Sequence, residues 1–149
     1  MRRFAIALLL VAAFPSPAAA VADSETETRC VTPLQLFARV ETAWFTSDSE
    51  GLSGLADTTS VTIAVKPGAP PAAAMTRSAA AFLFQDQLRL VKTQSFQVTR
   101  VSVGRSSATA VARWVADWGG RQGVRDVEVN LVATPSGGRW LLTEVRAKD

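Results

Sequence analysis

The sequence predicts an α+β domain: a curved antiparallel sheet with about three N-terminal and central helices packed on its concave face. Three observations predict it. Residues Phe96 to Ala147 form alternating apolar runs broken at glycine-marked turns. Thr32 and Thr76 each precede a segment with a helical apolar stripe. The last two connections are about five residues or shorter, a length that favours antiparallel neighbours over helical crossovers.

The first helix begins after Thr32, where Pro33 suits the first helical position and Gln35 completes a capping box. Phe37, Val40 and Trp44 follow at helical spacing, with Leu36 and Ala43 beside them, an amphipathic helix of about three to four turns. Ser47–Asp48–Ser49 breaks it and caps a shorter helix holding Leu52 and Leu55, weakened by Gly51 and Gly54 and ending near Asp57. Val61, Ile63 and Val65 alternate with Thr62 and Ala64 as a first strand. Pro67–Gly68–Ala69–Pro70–Pro71 then stops regular structure, because successive prolines supply no ladder donors. Thr76 caps a third helix running to about Val91, its stripe formed by Ala79, Ala80, Leu83, Phe84, Leu88 and Val91.

Four strands follow. Phe96, Val98, Val101 and Val103 change apolar parity after Val98, as an inserted bulge residue would cause. Gly104 to Ser107 turns into a run from Ala108 to Trp118, Gly119 to Gly123 turns into Val124 to Thr134, and Pro135 to Gly138 turns into Arg139 to Ala147. Pairing Trp118 with Val124 places Val111, Val115, Val127, Val129 and Leu131 on the helix-facing side, with Arg113, Asp117 and Arg125. The other side then carries Ala110, Ala112, Trp114, Ala116 and Trp118, with Asp126, Glu128 and Asn130. One residue of slip would flip one strand against the other.

The 149 residues divide into a signal peptide over 1–22, a flexible arm over 23–31 and one domain over 32–149. Met1–Arg2–Arg3 and the apolar run from Phe4 to Phe14 read as a secretory signal cleaved near Ala20 or Ala22. That run falls short of the roughly 20 residues a span needs, so no stable membrane span is expected after cleavage and the destination is secreted or periplasmic. Removing Arg2 and Arg3 from 16 basic residues leaves 14 against 13 acidic, a net charge of +1. Its arginines are scattered singly, unlike the clustered stripe of a nucleic-acid binder. Cys30 cannot make an internal disulfide alone and reads as a thiol on the arm, with pairing between chains as the alternative. Thr28–Arg29 before it argue against lipidation. With no histidine and one cysteine, no metal cluster of the usual type and no cofactor is indicated.

Chemistry-bearing groups are sparse. Asp117 and Arg113 share one strand face, and a carboxylate in an apolar pocket could act as a base. A structural ion pair explains them more simply. Asp126 and Glu128 also share a face, about 7 Å apart from the strand rise, and read as a solvated surface. Trp114 and Trp118 on one strand face would form an aromatic platform for a partner, a dimer mate or a sugar ring if exposed. In the reversed register both are core.

The element order, the Thr76 helix followed by a strand from Phe96, and the closing Gly138–Arg139–Trp140–Leu141–Leu142–Thr143–Glu144–Val145–Arg146 resemble the nuclear transport factor two-like superfamily over Pro33 to Lys148. This superfamily also includes ketosteroid isomerase-like and polyketide cyclase-like enzymes; a cystatin-like sheet is the structural competitor. The resemblance implies a pocket between helices and sheet, here lined by Phe37, Val40, Leu83, Phe84, Val115, Val127 and Val129, and often a dimer through the outer sheet face. Enzymatic relatives usually place an aspartate, a histidine or tyrosines in the pocket, and this chain has no histidine or tyrosine. The expected function is therefore a non-catalytic domain binding a small apolar molecule or a protein partner. The alternatives are a small isomerase, cyclase or lyase with Asp117 as base, and a structural module of an envelope complex.

Overall fold

The computed structural model describes residues 29–70 and 73–148. The expected signal peptide, its expected cleavage sites and most of the expected arm lie outside the described residues. Three helices and five strands follow in the order α1 (Pro33–Phe45), α2 (Ser49–Gly54), β1 (Thr62–Ala64), α3 (Arg77–Arg89), β2 (Lys92–Val103), β3 (Ala108–Asp117), β4 (Val124–Ser136) and β5 (Arg139–Lys148). The sheet runs β1-β5-β4-β3-β2, with helices on one side.

Local signals explain the helix starts. Thr32 Oγ1 accepts from Gln35 N, Asp48 Oδ1 from Gly51 N and Thr76 Oγ1 from Ala79 N, each satisfying a first-turn amide. The capping box at α1 is displaced by one residue: Gln35 Oε1 accepts from Val31 N, not from Thr32 N. At the β4–β5 connection, Pro135 and Ser136 continue the strand. Gly137 and Gly138 alone make the reversal, with φ of 58° and 74°. Two successive positive φ values mark the two-residue hairpin whose twist matches its strands.

Three expectations need correction. The sheet is mixed: β1 pairs parallel to β5, Ile63 opposite Val145, because α2 and the loop after it carry the chain back to that edge in the same direction. The β3–β4 register is one residue from that expected, with Asp117 and not Trp118 opposite Val124. Trp118 N–H instead donates to Gly123 O at 2.9 Å and closes the loop. Since side chains alternate across a strand, this slip turns all of β3 over. Cys30 is in the core and not on an arm, 3% exposed, its carbonyl accepting from Trp140 N at 2.8 Å.

With the register set, Ala110, Ala112, Trp114 and Ala116 face the helices beside Val127, Val129 and Leu131. Small residues on β3 leave room for the large rings of α1 and α3 to reach the sheet. On β2, register shifts around Thr93/Ser95 and Val98/Arg100 match the expected bulge after Val98. Glu41 of α1 reaches this edge strand, its Oε2 accepting from Val98 N at 2.8 Å. Bulges and a carboxylate together blunt an edge that would otherwise template pairing with another chain.

Candidate functional site

The space between helices and sheet is where a binding cavity would be expected, and aromatic rings occupy it. Trp44 of α1 stacks on Phe96 of β2 with centroids 4.6 Å apart and planes 19° apart. Its edge contacts reach Phe84 of α3 at 6.0 Å and Trp114 of β3 at 5.2 Å, and Trp114 meets Trp118 at 5.1 Å. Such offset and edge-to-face pairs suit the ring quadrupoles. Side chains lining a void wide enough for water would carry accessible surface. Leu36, Val40, Trp44, Phe84, Trp114 and Val129 carry none.

Of the expected pocket residues, Phe37, Val40, Phe84, Val127 and Val129 are gathered in this cluster, and Leu83 packs half-buried against it. Val115 is not there. The register turns it to the open face of the sheet, opposite Asp126. Trp114 moves the other way: the expected exposed platform is a buried core ring, its Nε1 donating to Thr93 Oγ1 at 3.1 Å. Trp118, past the end of β3, is half-buried at the rim. Trp44 and Phe96 had helical and strand periodicity in the sequence, but nothing there showed that their rings would stack.

Two indole N–H groups in the cluster, on Trp44 and Trp118, are enclosed without a hydrogen-bond acceptor. An unsatisfied buried donor costs about 1–3 kcal/mol, so both rings are held by packing and not by a bond.

The expected Asp117–Arg113 pair does not form. Arg113 donates from Nε to Asp126 Oδ2 at 2.8 Å and from Nη2 to the same oxygen. This hydrogen bond holds the Asp126 carboxyl below the usual carboxylate range and raises the Arg113 guanidinium. Asp117 instead caps its own turn, Oδ1 accepting from Gly119 N at 2.8 Å, on the edge of an open depression shared with Arg89 and Lys92. Glu128 accepts from Asn130 Nδ2 at 3.5 Å on the solvated face. Among the described residues, no group of three or more His, Cys, Asp or Glu side chains could hold a metal ion. No helix among them is long and apolar enough to cross a membrane.

The open face carries Val111 and Val115 of β3 and Val132 of β4, all half-buried. Around them stand Lys92, Arg100, Arg113, Arg146 and Lys148, with Asp117, Asp126, Glu128 and Glu144. A second feature lies at the rim: a depression of about 230 Å³ bounded by Lys66, Gln87, Leu90, Val91, Trp118 and Gln122. It is assembled from the ends of three segments far apart in sequence, which periodicity cannot connect.

No family model matches the chain. No curated protein matches it either. Among solved structures it is similar to a DUF4783 family protein from Bacteroides ovatus, at 17% identity, 75% of this chain, 93% of that one and a TM-score of 0.63. An uncharacterised protein with a cystatin-like fold from Caulobacter vibrioides is similar at 16% identity, 77% and 84% coverage, with a TM-score of 0.61. A dehydratase candidate of the NTF2-like family from Streptomyces avermitilis is similar at 17% identity, 85% and 97% coverage, with a TM-score of 0.57. At these identities the likeness is one of architecture, and a fold shared by unrelated functions carries no activity with it. By that architecture, the chain has the NTF2-like fold.

Proposed function

We propose that the chain is an exported, non-catalytic binding domain that acts through protein contacts over the open face of its sheet, beginning with a second copy of itself. One observation carries this reading: the concave side is filled with side chains, so the surface suited to recognition is the opposite one. A fully solvated sheet face would show polar residues at Val111, Val115 and Val132. Five cations and four anions surround them, so two copies related by a twofold axis can set unlike charges against each other.

The area sits at the lower limit for a specific interface. Four strands of about ten residues, at the usual rise and spacing, present a projected face of about 600 Å². Each side of a standard interface buries about 800 Å². An isomerase, cyclase or lyase centred on Asp117 finds less support, since that carboxylate is engaged by a turn amide and lies on the edge of an open depression, not inside an apolar pocket.

Native mass spectrometry of the mature chain, purified from its host's exported fraction, tests this reading. A dimer without added mass is expected, and Val115→Glu should convert it to a monomer with unchanged circular dichroism. A monomer at concentrations of about 100 μM would overturn the dimer, as this corresponds to only about 5.5 kcal/mol of association. An added mass lost on denaturation would move the function to the interior.

A further inference from the structure

We infer that the rim depression beside Trp118 is a saccharide subsite, taking one sugar ring against the indole. Its wall combines an aromatic ring with the aliphatic Leu90 and Val91, while Lys66, Gln87 and Gln122 supply polar groups around it. This is the composition of a small-molecule site, apolar walls with a few convergent polar groups. Its volume of about 230 Å³ is suited to a single ring.

The polar groups are unspent. Among the described residues, no hydrogen bond or ion pair engages the Lys66 ammonium or the Gln122 side-chain amide. Gln87 Nε2 bonds to Asp86, leaving its Oε1 as an acceptor. Amides both donate and accept, which matches hydroxyl groups, themselves donors and acceptors. The C–H face of a sugar ring is weakly positive and apolar, complementary to the negative face of an indole.

Trp118 is fixed at the rim: its backbone N–H donates to Gly123 O at 2.9 Å, and its side chain rests edge to face on Trp114. Leu90 stands 64% exposed on the lip, apolar surface that an occupant would cover. This site is separate from the open sheet face and does not depend on the dimer.

The test is a two-dimensional NMR titration of the mature chain with the tetrasaccharides of glucose, N-acetylglucosamine and galacturonic acid. At least one of them at about 20 mM should shift the Trp118 indole resonance and the Gln122 amide, while the Trp44 indole stays in place. Trp118→Ala should weaken binding roughly tenfold, the upper range for an aromatic contact. That substitution also strips packing from Trp114, so Gln122→Ala, at an exposed position, provides an independent check with a loss of about threefold. Preference for galacturonate that disappears in Lys66→Gln would place an acidic sugar at the ammonium. Equal binding of the neutral sugars would place the contacts on the amides and indole. Absence of shifts with all three sugars, or shifts confined to the open sheet face, would overturn the assignment.

Discussion

Trp44 and Trp114 meet edge to face in one buried cluster, both without exposed surface, yet only one of them has a bonded indole. Trp114 Nε1 donates to Thr93 Oγ1 at 3.1 Å, and Trp44 Nε1 has no acceptor. The same substitution, tryptophan to phenylalanine, should therefore have unequal effects. Each variant loses about 40 Å³ of side chain, roughly 1 kcal/mol at the cavity coefficient of core deletions, plus a similar amount of ring burial. These terms nearly cancel between the two sites. Trp114→Phe additionally breaks a hydrogen bond worth about 1 kcal/mol, whereas Trp44→Phe removes an unsatisfied donor and recovers about 1 kcal/mol or more. The difference is about 2 kcal/mol in favour of Trp44→Phe. At an unfolding entropy of roughly 2.1 cal/mol/K per residue, a domain of about 120 residues should show a gap near 8 °C in Tm. Urea unfolding of the mature chain at fixed protein concentration gives the free-energy difference, with m unchanged if only native contacts differ, and thermal unfolding gives the Tm gap. If Trp44→Phe destabilises as much as Trp114→Phe, the Trp44 indole is bonded in solution and the argument from the unsatisfied donor fails.

Further predictions concern groups around the cluster. Burial pushes the Cys30 thiol up despite nearby Arg39, so alkylation at neutral pH should be slower than for a free cysteine and should accelerate to the unfolded rate in denaturant. Glu41→Gln weakens a carboxylate bond to Val98 N, and the domain should lose about 1 kcal/mol while hydrogen exchange at Val98 rises. Gly138→Ala places a side chain at a φ of 74° and should cost about 1 kcal/mol by thermal unfolding, with nothing nearby to blame for a clash. Hydrogen bonds from Thr59 N and Oγ1 hold the Asp57 carboxyl below its ordinary value. A depressed folded pKa gives stability that is present above the unfolded value of about 3.9 and is lost as pH falls through the folded value. Asp57→Asn should flatten that part of the acid-unfolding curve, a measurement made by circular dichroism from about pH 5 downward.

The sequence by itself determined the elements, their order and the helix starts, while β2 begins at Lys92, ahead of the expected Phe96, and β4 runs on through Ser136. Thr32, Asp48 and Thr76 have side-chain oxygens that bond amides three residues on, so the helix starts follow from chemistry local to each cap. Glycine pairs and the parity change after Val98 located the hairpin and the bulge for the same reason, since both are set within a few residues. The tertiary structure decided which face of β3 is buried. Alternation in Ala108–Asp117 offers two faces, valines on one and alanines with Trp114 on the other, and composition alone favours the valines. Packing reverses that choice: alanines on β3 let Trp44 and Phe84 reach the sheet, while Trp114 fills the remaining space beside Phe96. The reversal relocated Val115 and Trp114 together and brought Asp126 onto the face of Arg113, which pairs with it and not with Asp117. Parallel pairing of β1 with β5 and the rim beside Trp118 likewise join segments distant in sequence. Local spacing cannot encode such contacts, because they exist only once the helices have chosen a face.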